Sequence, residues 1–186
     1  MPHNIVYFSH GQESGPWGTK IQYLAEIARR QGFHVDSPDY SDIPDPEERV
    51  LKLVDLVRGD LVHGNVDKFV LVGSSAGGYV SAVASEALKK PNGLFLLAPA
   101  VFLRGFGTRN PQPQADHQWI VHGWNDEIVP AESVICFAKQ HKIALHMLNG
   151  DHRLIDILPA VGALFNLFLR DVLGAAENME IPSDTR

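Results

Sequence analysis

Short apolar runs alternate with longer amphipathic segments along most of this chain, and this alternation constrains its fold more than any other feature. The first run covers residues 5–8, and the segment after it has apolar side chains at the spacing of one helical face. The same succession repeats some six times. Strands separated by helices pair in parallel and leave helices on both faces of the sheet. The sequence therefore predicts a three-layer α/β/α sandwich with a mostly parallel sheet of about six strands.

The predicted elements follow this alternation to near the end of the chain. The strands are expected at 5–8, 33–37, 69–72, 94–97, 119–121 and 144–148, and the helices at 17–28, 46–61, 76–89, 131–141 and 160–173. The second helix has a clear start, because Asp45 can cap it, Pro46 suits its first position and Glu48 completes a capping box. No repeat or linker interrupts the pattern, so residues 1–186 form one domain, with a polar tail from about residue 175.

Composition excludes several classes of partner. The net charge of −6 and the absence of a cluster of basic residues argue against nucleic acid. No stretch reaches the roughly 18 apolar residues of a membrane span, and no secretory leader precedes the first strand. Cys136 is the only cysteine and is expected to be a small buried residue in a helix. A cytoplasmic protein, acting as a monomer or weak homodimer, is the expectation.

In parallel α/β sheets ligands bind beyond the carboxyl ends of the strands, which directs attention to the strand-to-helix turns. The turn after the third predicted strand reads VGSSAGGY. It lacks the lysine of a Walker-type phosphate loop, and HGQESG after the first strand lacks the middle glycine of a dinucleotide fingerprint. Phosphate binding is therefore a poor explanation of either turn.

The same turn does match G-x-S-x-G, with Gly73, Ser75 and Gly77 in the fixed positions. A serine at the apex of a strand–turn–helix elbow is held in a strained conformation that exposes its hydroxyl. The residues two before and two after it face neighbouring chain and must be nearly free of side chain. Ser74 has no such flanking glycines. Ser75 is therefore the predicted nucleophile.

A serine nucleophile needs a base, and the base needs an acid to orient it. In this type of fold the chain order is serine, acid, histidine. The turn HGWNDEIVP offers the adjacent carboxylates Asp126 and Glu127, of which Asp126 is preferred because its shorter side chain follows the strand end. His152 lies in NGDHRL, after the last strand. Ser75, Asp126 and His152 are thus the predicted catalytic residues.

A tetrahedral intermediate also needs donors for its oxyanion. Main-chain amides supply them, one from the residue after the nucleophile and one from the turn after the first strand. These amides are predicted to be those of Ala76 and of Gln12, which follows His10-Gly11. Because the donors belong to the backbone, Gln12→Ala should matter less than a change at Gly11.

Taken together, HG near the N-terminus, GSSAGGY, HGWNDEIVP and GDHRL resemble the α/β-hydrolase superfamily, over about residues 4–173. More narrowly, HGQESGP and the GSS-x-GGY elbow are similar to those of its compact, lidless bacterial esterases. The resemblance implies a minimal α/β-hydrolase fold without a cap domain, and a hydrolase of carboxylic esters with the triad above. Two antiparallel edge strands of larger relatives are not expected.

Substrate is less well defined by the sequence. The segment 104–116 replaces the cap of larger relatives and is too short for a helical lid, so an open site for short acyl esters, or for groups projecting from a bulky molecule, is expected. Trp17, Tyr79, Trp124 and Phe106 are candidates to line the cleft, although Tyr79 and Trp17 could equally be packing residues. Arg104 and Arg109 could meet an anionic leaving group, but a solvated loop explains them better.

Three functions remain compatible with the sequence: a carboxylesterase, which is preferred, a thioesterase of the same mechanism, and a non-catalytic binding or scaffold protein that keeps the fold. The expected partner is a small ester. No cofactor is expected, and no metal, since His141 and His146 are not spaced with carboxylates as metal ligands are.

Overall fold

A computed structural model describes residues 2–88, 90–103, 105–108 and 110–174 of the chain. The predicted tail from 175 and the side chains of Arg104 and Arg109 lie outside the described residues. The described strands are His3–Ser9 (β1), Phe33–Asp36 (β2), Val66–Ser74 (β3), Gly93–Leu97 (β4), His117–Gly123 (β5) and Ala144–Leu148 (β6). The described helices are Thr19–Arg30 (α1), Pro46–His63 (α2), Ala76–Ala87 (α3), Ala131–His141 (α4) and Leu158–Val172 (α5).

The six strands form one sheet in the order β2-β1-β3-β4-β5-β6, and every neighbouring pair is parallel. The chain builds outward from β1 to β2, crosses back to β3, and then runs to the other edge. The strand order therefore reverses between β1 and β3, which is where a crevice opens beyond the carboxyl ends of the strands. Ser9 of β1 pairs with Gly73 of β3, so the turns after these two strands begin side by side.

Helices cover both faces of the sheet, as the alternation predicts. Along β3, Phe69 and Leu71 point into the core beneath α2, α3 and α4, whereas Val70 and Val72 point into the core beneath α1 and α5. Strands buried on both faces read as continuous apolar runs, which is the pattern of the central strands here. The predicted three-layer sandwich is confirmed.

Local signals placed the elements well, with two corrections. Pro46 opens α2 and the Asp45 carboxylate caps it, but the carboxylate accepts from the Glu47 amide at 2.9 Å, not from Glu48. Cys136 is exposed, contrary to the expectation of burial. The face of α4 that meets the sheet holds Val134, Phe137 and Ala138, and position 136 lies on the other side.

None of the described helices is long and apolar enough to cross a membrane.

Candidate active site

The turn between β3 and α3 holds Ser75 in a strained conformation. Its φ of 56° and ψ of −120° lie where residues other than glycine are rare. The surrounding backbone fixes this geometry, because the Ser75 amide donates to the Leu97 carbonyl at 2.9 Å and its own carbonyl accepts from Gly78 and Ala100. Ser75 is half-buried, whereas Ser74 is only 6% exposed. The turn thus presents the Ser75 hydroxyl at the carboxyl end of the sheet.

The flanking glycines are required for the reason that the motif suggested. A Cβ added at Gly73 would lie 2.1 Å from the Gly77 carbonyl oxygen, and one at Gly77 would lie 1.9 Å from that of Ser9. Neither oxygen belongs to a movable side chain. Close packing of α3 against β1 therefore depends on the absence of side chains at these positions.

The structure brings Ser75, His152 and Asp126 into one chain of hydrogen bonds. His152 Nδ1 lies 2.7 Å from Asp126 Oδ2, and His152 Nε2 lies 2.9 Å from Ser75 Oγ. An ionised carboxylate only accepts, so the ring proton belongs on Nδ1, and Nε2 is then the acceptor for the serine hydroxyl. This is the tautomer that a general base for Ser75 requires.

The Asp126 side chain is fully buried and its second oxygen has partners of its own. Oδ1 accepts from the amides of Ile128 and Val129 at 2.9 and 2.8 Å. These two bonds fix the orientation of the carboxylate. Glu127 is exposed, and the partner of the histidine is Asp126.

The turns that carry the acid and the histidine pack directly on each other. The Trp124 amide donates to the Leu148 carbonyl and the Asn125 amide to that of Gly150, at 2.9 and 3.0 Å. Gly123 permits this approach, because a Cβ there would lie 2.2 Å from the Gly150 oxygen. The hydrogen bond between Asp126 and His152 therefore rests on backbone contacts between two neighbouring strand ends.

A second histidine, which the sequence did not single out, lies beside the acid. The His122 side chain is fully buried, with Nε2 at 3.1 Å from the Val129 carbonyl and 3.6 Å from Asp126 Oδ2. Its Nδ1 has no hydrogen-bond partner among the described residues. Burial lowers the pKa of His122, although Asp126 opposes this, so the ring stays neutral and leaves the charge of Asp126 to His152. The sequence signal for His122 was its position directly before the glycine of VHGWND, at the end of a predicted strand.

Gln12 and Ala76 line the same cavity as Ser75. Within the described part of the chain, neither of their main-chain amides donates a hydrogen bond. The Gly11 carbonyl belongs to the same peptide group as the Gln12 amide, and it accepts a hydrogen bond from His10 Nδ1 at 2.7 Å. His10 Nδ1 is the donor because His10 Nε2 accepts from the Tyr40 amide at 2.9 Å. His10 is buried, which lowers its pKa and favours the neutral ring that these bonds need.

Gly11 itself lies against Ser75. A Cβ there would be 3.4 Å from both the Ser75 Cβ and the Ser74 carbonyl oxygen, and its φ is not in the left-handed region. A side chain at position 11 is thus disfavoured by its closeness to Ser75, and not by the backbone conformation.

A cavity of about 650 Å³ opens above Ser75 and His152. Of the four residues expected to contact substrate, only Phe106 lines it. Trp17 and Trp124 are 40% and 55% exposed and lie outside the lining, and Arg29 lies over the Trp17 ring. Lys20, Ile128 and Arg153 line the cavity without having been predicted. Ile128 comes two residues after Asp126, Arg153 comes directly after His152, and Lys20 comes two residues after Gly18, which also lines the cavity. Their closeness in sequence to such residues was the signal that could have placed them there.

Tyr79 is a core residue, which corrects its placement in the cleft. Its side chain is fully buried and its hydroxyl donates to the Glu47 carboxylate. The same carboxylate accepts from the Gly107 amide, and the Thr108 amide donates to the Tyr79 hydroxyl at 3.1 Å. Burial, and then the bond to Glu47, raise the pKa of Tyr79 to about 12. Tyr79 therefore fixes the segment that carries Phe106, and its ring packs on Phe106.

Within the described ranges, no group of three or more His, Cys, Asp or Glu side chains is arranged to hold a metal ion.

No protein-family model and no curated protein matches the sequence of the chain. Solved structures do match it. A protein of Xanthomonas campestris pv. campestris assigned to the α/β superfamily of hydrolases shares 29% identity, with a TM-score of 0.80 over 91% of this chain and 99% of that one. Est1E from Butyrivibrio proteoclasticus also gives a TM-score of 0.80, at 17% identity, over 93% of this chain and 89% of Est1E. The esterase Pf2001 of Pyrococcus furiosus gives 0.75, at 17% identity, over 91% and 83% of the two chains.

Proposed function

Because this chain has the fold of the α/β-hydrolase superfamily, and its structural neighbours include members of that superfamily and esterases, we propose that it is a serine hydrolase that cleaves carboxylic esters. One observation carries the proposal. A continuous chain of hydrogen bonds runs from Ser75 Oγ through His152 to the buried carboxylate of Asp126. That chain ends at a strained serine, at the carboxyl end of the sheet, beside an open cavity.

The reaction follows from the positions of these groups. Ser75 Oγ attacks the ester carbonyl while His152 Nε2 takes its proton, and Asp126 stabilises the resulting imidazolium. The amides of Gln12 and Ala76 donate to the oxyanion. His152 then protonates the departing alcohol, which leaves an acyl group on Ser75. Water, deprotonated by His152, attacks the acyl-enzyme; the bond to Ser75 Oγ then breaks, His152 returns the proton to that oxygen, and the acid leaves.

Apolar side chains in the cavity support a short acyl group. The apolar residues Leu103, Phe106, Ile128 and Ile155 line it, together with residues of the turn after β1. Between β4 and β5 the described residues form no helix, so nothing of that kind covers the opening. A long acyl chain would remain partly in water and would gain less from burial.

Labelling with a fluorophosphonate probe tests the nucleophile. The wild type should be labelled at Ser75, and Ser75→Ala should not be labelled. Ser74→Ala is the matched control, because it removes the neighbouring hydroxyl from the same turn and should still take the label. Label that persists in Ser75→Ala, or that is lost only in Ser74→Ala, would contradict the proposal.

An acyl-length series of esters and matching thioesters, with Ser75→Ala as the blank, then defines the activity. A carboxylesterase should favour short oxygen esters, whereas a higher kcat/KM for thioesters of the same acyl group would identify a thioesterase. Absence of Ser75-dependent turnover across both series, with unchanged partner binding in His152→Ala, would indicate the non-catalytic alternative.

We also propose a cytoplasmic location and a monomer or weak homodimer. The single cysteine, with its thiol exposed, supports the location, since an unpaired accessible thiol suits a reducing compartment. Gel filtration across a range of concentrations tests the second proposal.

A further inference from the structure

The cavity above Ser75 contains more positive than negative charge, although the chain as a whole carries a net charge of −6. The charged side chains that line it are Lys20, Arg153 and Glu13, alongside His152. Lys20 is in the first turn of α1, which follows the oxyanion turn, and Arg153 comes directly after His152. The two cations therefore enter the site from the elements that carry the oxyanion amide and the general base.

Lys20 lines the cavity half-buried and without an ion pair. No carboxylate among the described residues lies within 4.0 Å of its ammonium. Burial lowers its pKa to about 8, while Asp151 and Asp126 act in the opposite direction and Arg153 adds to the lowering. An ammonium in this position costs folding free energy that the fold does not recover through a partner. Groups held at such a cost are characteristic of sites that bind something.

The nearby carboxylates do not neutralise this region. Glu13 is exposed, and within the described chain neither Lys20 nor Arg153 forms an ion pair with it. Asp151 is also exposed, and its Oδ1 accepts from the Leu154 amide at 2.9 Å. Asp126 is engaged by His152 and two backbone amides. The two cations remain available to a negative group that enters the cavity.

We propose that the substrate is an ester that carries an anionic group, and that Lys20 and Arg153 bind that group while Ser75 attacks the ester carbonyl. This inference rests on the proposed serine hydrolase function and names the substrate class for it. A carboxylate is the simplest such group. Lys20 offers a point charge next to the triad, and Arg153 offers a planar guanidinium that can bind a carboxylate with two bonds.

Two matched ester pairs test the inference. On the acyl side, the p-nitrophenyl monoester of glutaric acid is compared with its neutral methyl ester. On the alcohol side, 4-acetoxybenzoate is compared with methyl 4-acetoxybenzoate. For at least one pair the wild type should show the higher kcat/KM with the charged member. Lys20→Met should lower this charged-to-neutral ratio about tenfold, as expected for loss of one bond to a charged group.

Three variants serve as controls. Lys20→Arg keeps the charge and should retain most of the preference, and Arg153→Met should lower the ratio as Lys20→Met does. Lys139 is an exposed residue of α4 that does not line the cavity, so Lys139→Met should leave the ratio unchanged. Folding is not expected to limit the comparison, because Lys20→Met removes a half-buried charge that has no ion-pair partner among the described residues.

A wild type that prefers the neutral member of both pairs would overturn the inference, and so would a ratio that neither Lys20→Met nor Arg153→Met lowers. A binding experiment separates failure of the anion site from failure of the proposed hydrolase function. Calorimetry measures the binding of monomethyl glutarate and of dimethyl glutarate to Ser75→Ala. Tighter binding of the anion, lost in the double variant Ser75→Ala/Lys20→Met, supports the anion site even if no ester is turned over. Equal binding of the two would overturn it.

Discussion

The two oxygens of Asp126 have different partners, and this difference defines what the residue can do. Oδ1 is occupied by the amides of Ile128 and Val129, while Oδ2 faces His152. The adjacent neutral His122 lies 3.6 Å from Oδ2 and adds no competing charge. The carboxylate is thus fixed by the backbone of its own turn before it meets the histidine. Glu127, one residue along, is exposed.

We expect Asp126→Asn to lower kcat by about 10²- to 10⁴-fold. If the amide oxygen keeps the bonds to the backbone, the amide nitrogen faces His152 Nδ1, which must then accept. The ring proton moves to Nε2, where it blocks proton transfer from Ser75. Steady-state hydrolysis of a short p-nitrophenyl ester measures the effect, and Glu127→Gln, which removes the neighbouring carboxylate, should change kcat less than twofold. A large loss in Glu127→Gln with an active Asp126→Asn would reverse the assignment of the acid.

Among the elements, β3, the elbow and α3 work as a single unit. The strand ends at Ser74, the helix begins at Ala76, and Ser75 alone makes the reversal, at positive φ. Such a turn is tight enough that the first turn of α3 touches the end of β1. Gly77 is the point of contact, with the Ser9 carbonyl where its Cβ would be. The position of Ser75 therefore depends on how closely α3 approaches β1.

We expect Gly77→Ala to destabilise the protein by about 2 kcal/mol, because the added methyl overlaps backbone that cannot move aside as a side chain would. It should also reduce kcat/KM by more than tenfold, since displacement of α3 moves Ser75. Chemical denaturation and ester hydrolysis measure the two effects. Gly59→Ala is the matched control: Gly59 lies in α2 with open space at its Cβ, so this variant should gain about 0.5–1 kcal/mol. If Gly77→Ala were as stable as Gly59→Ala, the packing argument would fail.

At the scale of the whole molecule, the site lies where the strand order reverses. β1 and β3 are adjacent in the sheet although α1, β2 and α2 separate them in the chain, so the turn that holds Gln12 and the turn that holds Ser75 meet at this crevice. Asp126 and His152 reach the site from β5 and β6, at the other end of the sheet. The segment between β4 and β5 contributes Leu103 and Phe106 to the lining of the cavity, contains no described helix and is held by Tyr79 and Glu47.

An open site of this kind should show no interfacial activation. We expect the rate with tributyrin to follow a single saturation curve as its concentration passes the solubility limit, because no helix lies between β4 and β5 in the described part of the chain. Titration of the released acid measures the rate on both sides of the limit. An abrupt increase at the limit would mean that part of the chain covers the cavity in water.

The elements could be predicted from the sequence because the patterns that specify them are local. The helix 131–141 and the strand 144–148 were predicted with the bounds that the structure has, and the glycine spacing around Ser75 predicted its strained turn. Cys136 was the exception, since one apolar residue within a helix does not reveal which face it is on. Chain order and turn type pointed to Asp126 and His152, and the fold places both within hydrogen-bond distance of a partner.

Taken alone, the sequence determined the fold class and the strained turn at Ser75, and it predicted Ser75 over Ser74 as the nucleophile, since periodicity and steric limits act between near neighbours. Only the tertiary structure decided which side chains share a space. It placed Tyr79 in the core with Glu47, left Trp17 and Trp124 outside the cavity, and brought Lys20 and Arg153 into it. These contacts join residues far apart in the chain, and they depend on sheet order and on the paths of turns that no local pattern records.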